Sequence, residues 1–123
     1  MVIVDTSIWI DFLRARDGRL SEWMATEQVL QHPYVTQEIS MGSFRSIDDR
    51  YQFIDLLESL PQLPVAQSDE FHSFVSEQTL FGVGIGFADA HLLFAGYGAP
   101  DVQLATGDKR LGQQAARLGI ALI

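Results

Sequence analysis

Four acidic residues stand where their type and position could do chemistry. Asp5 directly follows the apolar, β-branched run Val2-Ile3-Val4. Glu38 lies among apolar and small neighbours in the first turn of an expected helix. Asp89 opens a helix after the glycine-rich stretch Gly82-Val83-Gly84-Ile85-Gly86. Asp108 lies just past the apolar segment Val102 to Ala105. Asp89 shares a helical face with Leu92, Leu93 and Gly96, so its carboxylate points among buried neighbours. A buried carboxylate needs a partner, a proton or a metal. Converging carboxylates cannot all stay ionised without a cation between them. Carboxylate oxygens in a chain without cysteine suit a hard Mg²⁺ or Mn²⁺. Such an ion lets an acidic site hold a phosphodiester, activate water and stabilise the leaving oxygen.

Each acid also has a plain structural reading. Asp5 and Asp108 can cap helices or shape turns. Glu38 can be a favourable charge at a helix start, and Asp89 a cap after glycine. The hydroxyls of Thr6, Ser7 and Thr106 either hold the carboxylates or the scissile phosphate, or serve as caps and turn formers. Arg14, Arg16, Arg19, Lys109 and Arg110 make up five of the eight basic residues. They contact substrate phosphates around the acids or form a solvated surface. His91 lies two positions after Asp89, on another helical face, which favours packing over metal ligation. Gly82, Gly84 and Gly86 do not form a nucleotide-binding fingerprint, which needs Gly-x-Gly-x-x-Gly after a first strand or a lysine-containing phosphate loop. Trp9, Phe12, Trp23 and Met24 are expected in the core, with a partner groove as the other reading.

The elements that must position these residues alternate along the chain. Apolar strands are expected at Val2-Ile3-Val4, Val29-Leu30, Val102 to Ala105 and Ile120 to Ile123, with a possible short one at Val65-Ala66. Helices are expected over about 8–13, 20–26, 36–44, 48–60, 68–80, 88–97 and 108–118, the first broken at Arg16-Asp17-Gly18. Strands interleaved with helices favour a parallel sheet covered on both faces. In such sheets the site lies beyond the carboxyl ends of the strands, near a topological switch point. Asp5 and Asp108 both follow such ends.

The chain's 123 residues fit one domain spanning 1–123, long enough for a core without staples. Absence of cysteine excludes disulfides, zinc ribbons and thiol nucleophiles. No stretch approaches the ~20 apolar residues of a membrane span. The opening has neither a basic n-region nor an apolar h-region, so a cytoplasmic protein is expected. Sixteen acids against eight bases give a net charge of −8, which argues against broad adhesion to nucleic acid or anionic membranes.

Four segments together resemble the motifs of a PIN-domain ribonuclease of the VapC toxin type. They are Val2-Ile3-Val4-Asp5-Thr6-Ser7-Ile8-Trp9-Ile10, Thr36-Gln37-Glu38-Ile39-Ser40-Met41-Gly42, Gly84-Ile85-Gly86-Phe87-Ala88-Asp89-Ala90-His91-Leu92-Leu93 and Leu104-Ala105-Thr106-Gly107-Asp108-Lys109-Arg110-Leu111. Ala105 and Gly107 replace residues that are often bulkier or more polar in that family. The resemblance runs through the whole chain in order and spacing. It implies a PIN-like three-layer α/β fold, with a central parallel five-stranded sheet and helices on both faces. It implies Asp5, Glu38, Asp89 and Asp108 as the catalytic acids, with Asp5, Asp89 and Asp108 on the metal. Glu38 would help ligate the ion or orient the attacking water. The implied reaction is in-line attack of metal-activated water on an RNA phosphodiester. A homodimer and a cognate antitoxin protein are implied as well.

Two other function classes compete. A phosphotransfer enzyme or receiver would use Asp5 as nucleophile, yet Ser7 stands where such phosphatases carry a second Asp. A non-catalytic PIN-like binding module would keep the fold, but all four acids are present.

Overall fold

The computed structural model describes residues 1–14 and 18–123. Arg16 and the expected helix break at Arg16-Asp17 lie outside the described residues. The elements run β1 (Val2–Val4), α1 (Thr6–Leu13), α2 (Arg19–Ala25), β2 (Val29–Leu30), α3 (Pro33–Ser40), α4 (Ile47–Ser59), α5 (Ser68–Glu77), α6 (Phe87–Gly96), β3 (Gln103–Ala105), α7 (Lys109–Arg117) and β4 (Ala121–Leu122). The strands form one all-parallel sheet in the order β2-β1-β3-β4, flanked by helices. β1 is buried along its whole length, which explains its uninterrupted apolar sequence. From β1 the chain goes first to β2 on one side and later returns to β3 on the other. The switch point therefore lies between the carboxyl ends of β1 and β3, where an open α/β sheet leaves a crevice.

The described sheet has four strands, not the expected five. Val65-Ala66 makes no strand. The neighbouring segment contributes a single bridge, Gln31 to Gln62, through Gln31 N–H to the Pro61 carbonyl at 2.9 Å and Leu63 N–H to the Gln31 carbonyl at 2.8 Å. Pro61 and Pro64 lack backbone N–H groups, so the ladder cannot extend beyond that rung.

The third helix also differs from expectation. It starts at Pro33 rather than Thr36, because proline suits the first helical position and His32 Nδ1 accepts the Tyr34 N–H at 3.0 Å. Glu38 consequently sits in the last turn of α3, not the first. Ser46 caps α4 through the Asp49 N–H at 3.1 Å, with Asp48 and Asp49 favourably placed in its first turn.

Trp9, Leu20, Leu57, Leu92, Leu93, Leu104 and Leu111 are among the most deeply buried core side chains. Trp9 and Trp23 belong to this core, and Phe12 and Met24 pack against it. Those four therefore take part in packing, Phe12 and Met24 only in part buried.

One buried polar chain crosses the core. Trp9 Nε1 donates to Gln31 Oε1 at 3.0 Å, and Gln31 Nε2 donates to Thr36 Oγ1 at 2.9 Å. It ties α1, just after Asp5 and Thr6, to α3, which carries Glu38. Gln31→Ala leaves the indole N–H and the Thr36 hydroxyl without these partners in a dry interior. The variant is expected to lose about 2–4 kcal/mol of stability in a urea titration followed by tryptophan fluorescence. A loss below about 1 kcal/mol would mean that water reaches both groups.

Candidate active site

The sheet itself brings Asp5 and the Thr106–Asp108 turn together. The Asp5 N–H continues the β1–β3 ladder by donating to the Ala105 carbonyl at 3.2 Å. Asp5 is 2% exposed, and both of its carboxylate oxygens are engaged. Oδ1 caps α1, accepting the Ser7 N–H at 2.6 Å, the Ser7 hydroxyl at 2.5 Å and the Ile8 N–H at 3.3 Å. Oδ2 accepts the Thr106 hydroxyl. Ser7 Oγ also accepts the Gly107 N–H at 2.9 Å, and Thr106 Oγ1 accepts the Asp108 N–H at 3.0 Å. Two hydroxyls thus lace the end of β1 to the turn after β3. They hold Asp5 and shape the turn after β3, while the helix caps are Asp5 and Asp108 themselves rather than Thr6 or Ser7. Enclosure on both oxygens also makes Asp5 a poor phosphoryl acceptor.

Asp108 is the N-cap of α7, its Oδ1 accepting the Arg110 N–H at 2.8 Å and the Leu111 N–H at 3.1 Å. Capping uses one oxygen and leaves the other without a hydrogen bond among the described residues. Glu38 is exposed and accepts the Thr6 hydroxyl at 2.5 Å through Oε1. Thr6 therefore links the start of α1 to the end of α3.

Asp89 stands in the first turn of α6, where Leu92, Leu93 and Gly96 are buried. Burial pushes its carboxyl up to about 6, and the charge of Asp5 adds to this. The Gly86 backbone N–H opposes the rise, while Asp108 and Glu38 reinforce it. The four acids are thus one electrostatic neighbourhood, in which Asp89 feels the charge of the other three.

Among the described residues, no three His, Asp or Glu side chains converge closely enough to enclose an ion directly. The donor chemistry still fits a small hard cation. Mg²⁺ keeps several of its waters and is commonly held through one or two carboxylates. Excess negative charge at Asp89 is what such an ion would offset.

The basic residues sit around this centre in different ways. Arg14 lines a cleft of about 560 Å³ with Thr6, Glu38, Ile10, Leu13 and Phe44. Lys109 borders a surface hollow beside Thr106 and Asp108. Arg110 Nη1 donates to the Gly84 carbonyl at 3.5 Å, bridging the loop before Asp89 and the helix after Asp108. Gly84 has φ +81°, and a Cβ there would lie 2.6 Å from Arg110 Nη1. Glycine suits the left-handed backbone at this position, whereas the flexible end of Arg110 could shift away from a Cβ. Arg19 instead places its guanidinium 5.4 Å from the Trp23 ring centre.

His91 is buried and stacks on Phe71 at 3.9 Å, with a 2° interplanar angle. Burial lowers its pKa, and burial followed by the neighbouring His91 lowers that of His32 to about 4. Both imidazoles are therefore neutral packing groups at pH 7. Gln31 and the aromatic cluster of Tyr34, Phe71 and Phe87 were not singled out by the sequence. An aromatic two residues before a candidate acid was the available signal for Phe87. Gln31 gave none, since its partners are 22 and 5 residues away on different helices.

No family model matches the chain. Two curated relatives, each named Ribonuclease VapC32 and belonging to the CDC 1551 / Oshkosh and H37Rv strains of Mycobacterium tuberculosis, are 40% identical to it over 122 residues. The match covers 99% of this chain and 96% of each relative. The crystal structure of PAE2754 from Pyrobaculum aerophilum has a similar fold, with a TM-score of 0.61 at 18% identity. That likeness covers 92% of this chain and 83% of the other.

Proposed function

Because the chain belongs to the VapC-type PIN-domain ribonuclease family, we propose that it hydrolyses RNA phosphodiester bonds with Mg²⁺ or Mn²⁺, as the toxin of a toxin–antitoxin pair. The observation that carries this reading is the meeting of acids at the switch point of the sheet, where the Thr106 hydroxyl ties Asp5 at the end of β1 to the turn that carries Asp108 after β3. When bound, the ion lowers the pKa of a coordinated water and offsets charge building on the phosphate. Asp5, Asp89 and Asp108 would hold it, directly or through water. Glu38, steadied by Thr6, orients the attacking water. Thr106 and Ser7 fix Asp5, and Asp108 spends only one oxygen on its helix. Arg14, Lys109 and Arg110 supply local contacts to RNA phosphates, which a chain of net charge −8 cannot attract over long range.

The cognate antitoxin takes the apolar trough along Ile10, Leu13 and Phe44, which continues to Phe53 and Leu56. The net charge of −8 on the whole chain suits a basic segment. A homodimer is the expected assembly. No helix among the described residues is long and apolar enough to cross a membrane.

Purified protein should cleave single-stranded RNA when Mg²⁺ or Mn²⁺ is added and fall to background in EDTA. Gel analysis of a labelled oligoribonucleotide checks this. Equal cleavage in EDTA would overturn the metal-dependent mechanism.

A further inference from the structure

Phe87 is the first residue of α6, two positions before Asp89, and it is 63% exposed. Its ring nevertheless has a firm base. It lies 5.0 Å from Tyr34 at 30°, 4.6 Å from His91 and 6.2 Å from Phe71, measured between ring centres. Beneath it, His91 and Phe71 are stacked face to face. Tyr34 lies one turn before Glu38, on the same side of α3. The aromatic shelf therefore stands on the two helices that also carry Glu38 and Asp89, on the His91 face of α6 at the helix start.

We infer that Phe87 and Tyr34 form a stacking platform for an RNA base next to the scissile phosphate. This rests on the ribonuclease reading and extends it to how the substrate is held. An exposed aromatic gains little for folding where it stands. Single-stranded RNA, by contrast, is held largely by stacking of splayed bases on aromatic faces. The need is acute here. A strongly acidic chain draws little affinity from phosphate attraction, and its site adds more negative charge. A shelf already fixed by three neighbouring rings loses little freedom when a base lands on it.

The experiment compares wild type, Phe87→Ala, Phe87→Leu and Phe87→Trp on a single-stranded oligoribonucleotide. Phe87→Ala and Phe87→Leu should raise KM about tenfold, with the loss carried mainly by KM, and Phe87→Trp should restore it. The new indole in Phe87→Trp should also be quenched by the same oligoribonucleotide in EDTA, where no cleavage is needed. Wild-type KM in Phe87→Leu would reduce the ring to an apolar cover and overturn the platform. A rise in KM that tracks dissociation of a dimer in size-exclusion chromatography would assign the shelf to a second copy instead. Quenching without any wild-type cleavage would support the platform and sink only the ribonuclease reading. Cleavage by wild type with unchanged KM in Phe87→Ala would sink only the platform.

Discussion

Asp89→Asn is expected to lose cleavage by at least ~10²-fold, the scale of losing one electrostatic stabiliser of a transition state, and yet to melt higher than wild type. The two effects share one cause. In the folded, metal-free chain Asp89 titrates at about 6, against 3.8 for an ordinary aspartate. Between those values the folded chain holds a proton that the unfolded chain has released. Stability therefore falls as pH rises from about 4 to about 6, and the full penalty is present above 6. Two pKa units correspond to about 3 kcal/mol. Partial exposure of the side chain and solvent screening reduce this to roughly 1–2 kcal/mol. Asparagine keeps the shape and an oxygen for the Gly86 N–H but carries no charge. Its melting temperature in EDTA at pH 7 should exceed that of wild type by roughly 3–10 °C. The gap should close as pH falls to about 4.

Asp5→Asn makes the contrast. That carboxylate is fully hydrogen-bonded, with α1 resting on it and Thr106 donating to it. Asparagine would place an NH₂ against donors. Asp5→Asn should therefore lose cleavage as well, but melt lower than wild type. Identical stability changes in the two variants would contradict the division of labour drawn here. Full cleavage by both would remove the acids from the mechanism.

The difference between those two aspartates marks the limit of what the sequence could reveal. The strand ends that carry Asp5 and Asp108 were legible because buried parallel strands have uninterrupted apolar sequences. The order β2-β1-β3-β4, which makes these ends adjacent, depends on which strands pair, and no local pattern states that. Glu38 illustrates a different loss. Pro33 and His32 start α3 earlier than the apolar periodicity indicates, which moves Glu38 from the first turn to the last. A charge near a helix N-terminus would be stabilised by the helix dipole, whereas one near the C-terminus is not. The plain structural reading of Glu38 thereby weakens once the helix boundaries are known. For Asp5 and Asp108 the opposite holds: both do cap helices, with Asp5 enclosed on both oxygens and Asp108 keeping one oxygen without a hydrogen bond among the described residues. The fifth strand failed for a reason present in the sequence, since Pro61 and Pro64 bracket its only possible rung.

Thr106→Val is expected to shift the Mg²⁺ concentration needed for half-maximal cleavage upward by about 10–100-fold, the usual cost of removing a group that orients a metal-holding carboxylate. Thr106 is 101 residues from Asp5 in sequence, yet its hydroxyl donates to Asp5 Oδ2 and accepts the Asp108 N–H. One oxygen therefore fixes both a carboxylate at the end of β1 and the backbone of the acid after β3. Valine has nearly the same shape, so packing around β3 is preserved while both bonds vanish. Part of the loss will show as stability, about 1–3 kcal/mol for a buried carboxylate oxygen deprived of its donor. A purely structural role would stop there, and folded enzyme would respond to Mg²⁺ as wild type does. Serine retains the hydroxyl without the methyl group, so Thr106→Ser should recover the wild-type Mg²⁺ response despite a small packing loss. If Thr106→Val and Thr106→Ser share one metal dependence, the hydroxyl positions nothing. If valine alone is shifted and high Mg²⁺ brings back most of its rate, the tie between the two strand ends is what sets the affinity of the acidic centre for its cation.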